Sequence, residues 1–185
     1  MRRMQDQEFH RIGARLHDEG LVAGNSGNIS VKGPEGFRIK RSGKYLEDPG
    51  PPVLVPYQGP VPAHASREQA VHRAIYEMTS HLAVVHAHPP HAVALSLVQQ
   101  GPVVPRDCEG QLLCPEIPIV DGEPGSAELA RNVAEALAGH TVAIARGHGT
   151  FAGGNTLEEA YLHTAAAEHS CRVLVLVRQM GAGSR

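Results

Sequence analysis

Tryptophan is absent from this 185-residue sequence, and aromatic residues make up only 4% of it. Any core must therefore be aliphatic, and hydrophobic residues at 42% supply enough side chains for one in a domain of ordinary size. Cysteine is also scarce. Cys108, Cys114 and Cys171 are an odd number with no CxxC spacing, which argues against a disulfide framework and a thiolate zinc site and suits a reducing cytoplasm. Neither sign of charge dominates: 17 basic and 19 acidic residues leave a net charge of −2. No long basic run exists, so the electrostatic footprint of a nucleic-acid binder is missing. No apolar run approaches the roughly 20 residues needed to span a bilayer. The first residues, Met1 to Asp6, are polar and show no signal-peptide core. The expectation is a cytoplasmic chain with neither nucleic acid nor membrane as partner. The residue in excess is histidine, with 12 copies.

Residues 6–18 place Phe9, Ile12, Ala14 and Leu16 among polar residues and read as an amphipathic helix that ends near Gly20. The run Gly24-Asn25-Ser26-Gly27-Asn28 forms turns, and short strands are predicted at 29–31 and 37–39. Residues 41–63 are rich in Gly and Pro and read as loop around a strand at 53–55. Ser66 is predicted to cap a helix reaching about Met78. Leu82 to Val85 reads as a buried strand running into His86, and a helix follows from Pro90 to about Val98. Residues 101–125 are again loop-like, with a strand at 117–120. Ser126 caps a helix to about Leu137, and residues 141–144 form a strand. Thr156 with Glu159 makes a capping box for a helix to about His169. A last strand is predicted at 173–177. With helices and strands interleaved and no repeat, residues 1–185 read as one α/β, mixed-sheet domain.

Two histidine motifs carry the chemistry. In His86-Ala87-His88 an extended backbone points residues i and i+2 to one side, so both imidazoles can reach one metal ion at about 2.0–2.1 Å. Taken alone, two histidines at a strand end could equally face solvent. In Arg146-Gly147-His148-Gly149 the flanking glycines allow a sharp turn and close approach to a ligand. Taken alone, that histidine could simply sit in a turn. Together the three would supply the three protein ligands of a catalytic zinc site, which keeps one open position. Glu68 opens the helix leading to that strand and shares a face with His72, four residues on. It is either a solvated first-turn carboxylate favouring the helix dipole or an acid/base beside the metal. The amides of the Gly24–Asn28 turn could form an anion-binding nest, with Ser42-Gly43 and Ser66 as further small donors, or be plain loop.

In this order the segments Gly20-Leu21-Val22-Ala23-Gly24-Asn25-Ser26-Gly27-Asn28-Ile29-Ser30, Ser66-Arg67-Glu68 with His72, Ala83-Val84-Val85-His86-Ala87-His88-Pro89-Pro90 and Arg146-Gly147-His148-Gly149 resemble the class II aldolase/adducin family. Leu157-Glu158-Glu159-Ala160 and Glu168 resemble its closing helix, and the likeness covers about residues 8–177. The resemblance implies a three-layer α/β/α domain with a mostly antiparallel central sheet, assembled as a homotetramer with active sites at subunit interfaces. It implies Zn²⁺, or another divalent metal such as Mn²⁺ or Co²⁺, on His86, His88 and His148, with Glu68 as the catalytic acid/base. It implies substrate phosphate on Asn25, Gly27, Asn28, Ser42, Gly43, Ser66 and Arg67. The reaction implied is aldol cleavage or formation of a ketose phosphate of the L-fuculose 1-phosphate kind, giving dihydroxyacetone phosphate and an aldehyde.

The sequence departs from the family pattern in three places. Arg67 stands where the phosphate segment usually has Ser, and as a fork donor it could strengthen anion binding. The stretch Val104-Pro105-Arg106-Asp107-Cys108-Glu109 has no counterpart of the aldolase tyrosine, leaving Asp107 or Glu109 as substitute acids. Little chain follows the last element. A decarboxylase, dehydratase or epimerase on the same scaffold, and a non-catalytic adducin-type assembly module, are the alternatives. Epimerases of the family carry Asp at the position of Glu68, which favours lyase chemistry here.

Overall fold

A computed structural model describes residues 2–182. Its centre is a seven-stranded sheet in the order β3-β2-β1-β4-β7-β6-β5. The strands are β1 (Asn28–Lys32), β2 (Gly36–Ile39), β3 (Val53–Pro56), β4 (Ala83–Ala87), β5 (Ile119–Val120), β6 (Val142–Ala145) and β7 (Gly149–Gly154). Every neighbouring pair is antiparallel except β5 and β6, as expected for a mostly antiparallel sheet. Helices α2 (Gln69–Met78) and α5 (Ala127–Leu137) cover one face, where Val71, Ile75, Leu129 and Val133 meet Phe37, Val84 and Phe151. Helices α1 (Arg2–Asp18), α3 (Pro90–Val98), α4 (Cys108–Leu113) and α6 (Leu157–Ala182) lie against the other. The result is the α/β/α sandwich anticipated from the sequence. Helices on both faces explain why β4, β6 and β7 are buried at every position, and why the sequence of β6 and the stretch leading to His86 in β4 are apolar without alternation.

Local signals account for most boundaries. The Ser126 hydroxyl accepts from Leu129 N at 3.0 Å and caps α5. Thr156 Oγ1 accepts from Glu159 N at 3.1 Å, while the Glu159 carboxylate reaches one residue further back than a standard capping box, to Asn155 N at 2.7 Å. After α1 the chain reverses at Gly20, φ 69°, with Leu21 N donating to Leu16 O.

Three expectations are corrected, and one strand lies where no element was expected. Ser66 is not a helix cap: α2 begins at Gln69, Glu68 occupies the cap position, and Ser66 Oγ instead accepts weakly from Glu68 N at 3.4 Å. Residues 173–177 are not a strand but the continuation of α6. Residues 149–154 form a strand, β7, which its three glycines concealed. Residues 108–113, read as loop, form α4, capped by Asp107 accepting from Gly110 N at 2.9 Å.

Candidate metal centre and acid/base site

β4 and the β6–β7 turn bring the three histidines together. Asn28 of β1 pairs with His86, and Phe151 of β7 pairs with it on the other side. His88 follows two residues later at the strand end. Between β6 and β7 the chain turns through Arg146-Gly147-His148, with His148 N donating to Ala145 O at 3.0 Å and Gly147 at φ 67°. That backbone conformation is open to glycine at little cost. It drops His148 beside β4, sixty residues away in sequence.

The ring centroids lie 4.8 Å apart for His86–His88, 4.8 Å for His86–His148 and 5.1 Å for His88–His148. One ligand nitrogen from each ring falls within 4.8 Å of the others. The Nε2 atoms of His86 and His88 are 3.0 Å apart, close to the roughly 3.3 Å that two nitrogens span on a tetrahedral zinc. His86 Nδ1–H donates to Thr150 O at 2.9 Å. That bond fixes the tautomer and leaves the Nε2 lone pair facing the other two rings, the usual second support of a metal-binding imidazole. Phe151 stacks on the same ring at 4.1 Å and 12°, holding its plane. All three imidazoles are kept neutral. Burial, then the neighbouring histidines, pushes His86 well below the ordinary value. Burial, then His148 and Lys40, lowers His88 to about 4, and burial lowers His148. Three neutral nitrogens on one side and no carboxylate or thiolate among them form a donor set that fits Zn²⁺, with room for Mn²⁺ or Co²⁺.

The same centre borders a cleft of about 510 Å³. The metal, acid/base and phosphate candidates named from the sequence line it: Asn25, Gly27, Asn28, Ser42, Gly43, Ser66, Arg67, Glu68, His86, His88 and His148. Glu68 is 9% exposed, and burial raises its carboxyl above the ordinary range. Its Oε2 is buried without a hydrogen-bond partner. A carboxyl so placed holds its proton to higher pH than an exposed one, as suits a group that exchanges a proton in the cleft. Gly27, at φ 70°, could not carry a side chain: a Cβ there would stand 2.8 Å from His86 O. The turn is thus pressed against the strand that carries His86.

Ser26, part of the Gly24–Asn28 turn, also lines the cleft, and so does Lys40, which sequence reasoning missed. Lys40 is 2% exposed, and Nζ donates to Asn25 O at 2.9 Å and Lys44 O at 2.5 Å. It ties the Gly24–Asn28 turn to the Ser42-Gly43 turn. Burial draws its ammonium down to about 8, opposed by Glu47. Alternation with Phe37 and Ile39 was the only available signal, and it gave no reason to expect that the opposite face is covered there. The candidate acids Asp107 and Glu109 do not line this cleft, and Asp107 serves as the α4 cap.

The sequence profile of the Class II Aldolase and Adducin N-terminal domain matches residues 7–175. The crystal structure of L-fuculose-1-phosphate aldolase from Thermus thermophilus superposes with a TM-score of 0.91 at 37% identity, covering 97% of this chain and 96% of that one. L-fuculose phosphate aldolase from Methanococcus vannielii is 30% identical over 178 residues, 92% of this chain and 95% of that protein. A 3-oxo-tetronate 4-phosphate decarboxylase from Cupriavidus necator is 36% identical over 96 residues, 49% of this chain and 44% of that protein.

Proposed function

The chain belongs to the class II aldolase and adducin family, and from that premise we propose that it is a divalent-metal aldolase acting on a ketose phosphate. The reaction is cleavage or formation of a C–C bond in a substrate of the L-fuculose 1-phosphate kind, releasing dihydroxyacetone phosphate and an aldehyde. The observation that carries this reading is the meeting of three neutral imidazoles and one protonatable, buried carboxyl in a cleft that also holds small-residue turns and cations. An assembly module without catalysis has no use for that convergence.

When bound by His86, His88 and His148, a divalent cation, Zn²⁺ in the first instance, supplies Lewis acidity toward the negative charge that builds on the substrate oxygens. The remaining work falls to side chains. His86 is held in one tautomer by Thr150 O. Glu68 exchanges a proton with the reacting carbon or a substrate oxygen, for which its raised carboxyl is suited. The amides of Asn25, Gly27 and Asn28, the Ser42-Gly43 turn and Ser66 grip the phosphate, with the cations of Lys40 and Arg67 adding charge. Residues 1–185 act in this reading as one catalytic domain, in a cytoplasmic homotetramer with its active sites between subunits.

A second reading, decarboxylation of a sugar-acid phosphate by the same machinery, is favoured by the Cupriavidus relative and by the lack of tyrosine in residues 104–109. One assay separates them. Zinc-loaded enzyme incubated with dihydroxyacetone phosphate and a panel of aldehydes should yield a new phosphorylated ketose. No condensation with any aldehyde, together with CO₂ release from a 3-oxo-tetronate 4-phosphate, would replace the aldolase reading by the decarboxylase one. Protein that neither retains nor takes up zinc would point to the scaffold branch.

A further inference from the structure

α2 is fastened to β1 by a polar contact inside an otherwise apolar layer. Ser30 Oγ lies 2.6 Å from His72 Nδ1 and 2.6 Å from Tyr76 Oη. Ser30 and His72 are fully buried, and Tyr76 is 3% exposed. A third bond sets the direction: Lys32 Nζ, two residues on from Ser30, donates to Tyr76 O at 2.7 Å. The helix therefore runs the same way as the strand.

This arrangement fixes what lies one step upstream. Two residues back along β1, about 7 Å, is Asn28, the register partner of His86. Four residues back along α2 from His72, about 6 Å, is Glu68. Asn28 and Glu68 both border the metal cleft, and each has a buried carboxyl or amide oxygen with no partner of its own. Nothing in Glu68's own hydrogen bonding holds its carboxyl in place. Apolar contacts such as those of Val71 and Ile75 are non-directional and tolerate sliding. The Ser30 bonds do not, because any shift of register leaves buried donors and acceptors unmatched.

We propose that Ser30, His72 and Tyr76 are positioning residues: their buried hook locks the register of α2 on β1 and so holds the Glu68 carboxyl beside His86. This inference rests on the reading of Glu68 as the acid/base. The hook touches neither metal nor substrate and acts only through where it places Glu68.

The test uses zinc-loaded enzyme cleaving L-fuculose 1-phosphate, with Ser30→Ala and Tyr76→Phe. A carboxyl displaced by a fraction of an ångström should lower kcat about 10–100-fold in Ser30→Ala and less in Tyr76→Phe. KM and zinc stoichiometry should stay near wild type. In a Glu68→Gln background, which itself keeps zinc and loses most turnover, Ser30→Ala should cause no further loss. Losses that multiply instead would overturn the proposal, because the hook would then act on something other than Glu68. A second readout needs no substrate. The amides of Val71 and His72 donate to Glu68 O at 3.0 and 3.3 Å, and their hydrogen exchange should quicken in both variants while amides of α5 stay unchanged. Unchanged exchange at Val71 and His72 would also overturn it. If Ser30→Ala does not fold, Tyr76→Phe carries the same comparisons. Normal turnover in Glu68→Gln sinks the acid/base reading. An inactive Glu68→Gln beside a fully active Ser30→Ala sinks the hook alone. Wild-type protein that does not cleave the sugar phosphate counts against the proposed function, and amide exchange then decides the hook by itself.

Discussion

Gly149 opens β7 directly after His148, and replacing it with alanine tests how the proposed metal site is held. A Cβ at this position would lie 2.2 Å from Ala87 O and 3.1 Å from His88 Cδ2. The near neighbour is a backbone carbonyl in the middle of the sheet, so no side chain can swing aside to make room. Even a tight contact of 3.0 Å requires the strands to part by about 0.8 Å. Overpacking of this kind costs about 1–3 kcal/mol, and in a protein of this size that lowers Tm by roughly 2–12 °C. The displacement falls between His148 and the two β4 histidines. Metal–ligand distances tolerate only about ±0.2 Å, so the variant should lose zinc affinity by about ten-fold or more. The assay is calorimetry together with metal analysis after dialysis against a competing chelator. Gly139→Ala makes the same chemical change where a Cβ meets nothing within 4 Å and should match wild type. A Gly149→Ala protein with wild-type Tm and zinc retention would refute the argument that close β4–β7 packing aligns the three imidazoles.

Three further outcomes are expected. His88→Ala should lose activity and bound zinc together; stoichiometric metal with full activity would remove His88 from the centre. Lys40→Met should raise KM for a phosphorylated substrate with zinc content intact, and an unchanged KM would leave Lys40 as a structural tie between the two turns. His72 is held at about 3 by complete burial, against an ordinary value of 6.5. The native ring stays neutral while the unfolded one takes up a proton, so this stabilisation is full above about pH 6.5 and drains away as pH falls toward 3. The slope is about 1.4 kcal/mol per pH unit within that window. Denaturant unfolding at pH 7, 5.5 and 4.5 should show a shallower acid loss in His72→Asn, and identical slopes would contradict a neutral buried ring.

Much of the site was legible because its motifs obey short periodicities. The apolar run before His86 marked a buried strand, and the HxH spacing followed from alternation. The Ser126 and Thr156 caps were visible because a cap is decided by residues three apart. Other elements were hidden. Val173-Leu174-Val175-Leu176-Val177 has the composition of a strand, yet α6 continues through it. Leu174 is buried while Leu176 and Val177 are 48% and 41% exposed, a helical pattern that packing selects over propensity. β7 carries three glycines, which local preference rejects in a strand. Its neighbours demand them, since a Cβ on Gly153 would run into the His81 ring at 2.3 Å.

The sequence by itself determined that His86 and His88 project to one side, that Glu68 and His72 share a helix face, and that glycine-flanked turns border them. These follow from backbone geometry within a few residues. Only the tertiary structure decided that β7 pairs with β4, which carries His148 across sixty residues to complete the triad, and that Lys40 is buried between two turns. It alone decided that Ser30 meets His72 and Tyr76. Such contacts depend on which strand lies beside which and in what register, and no local period encodes that choice.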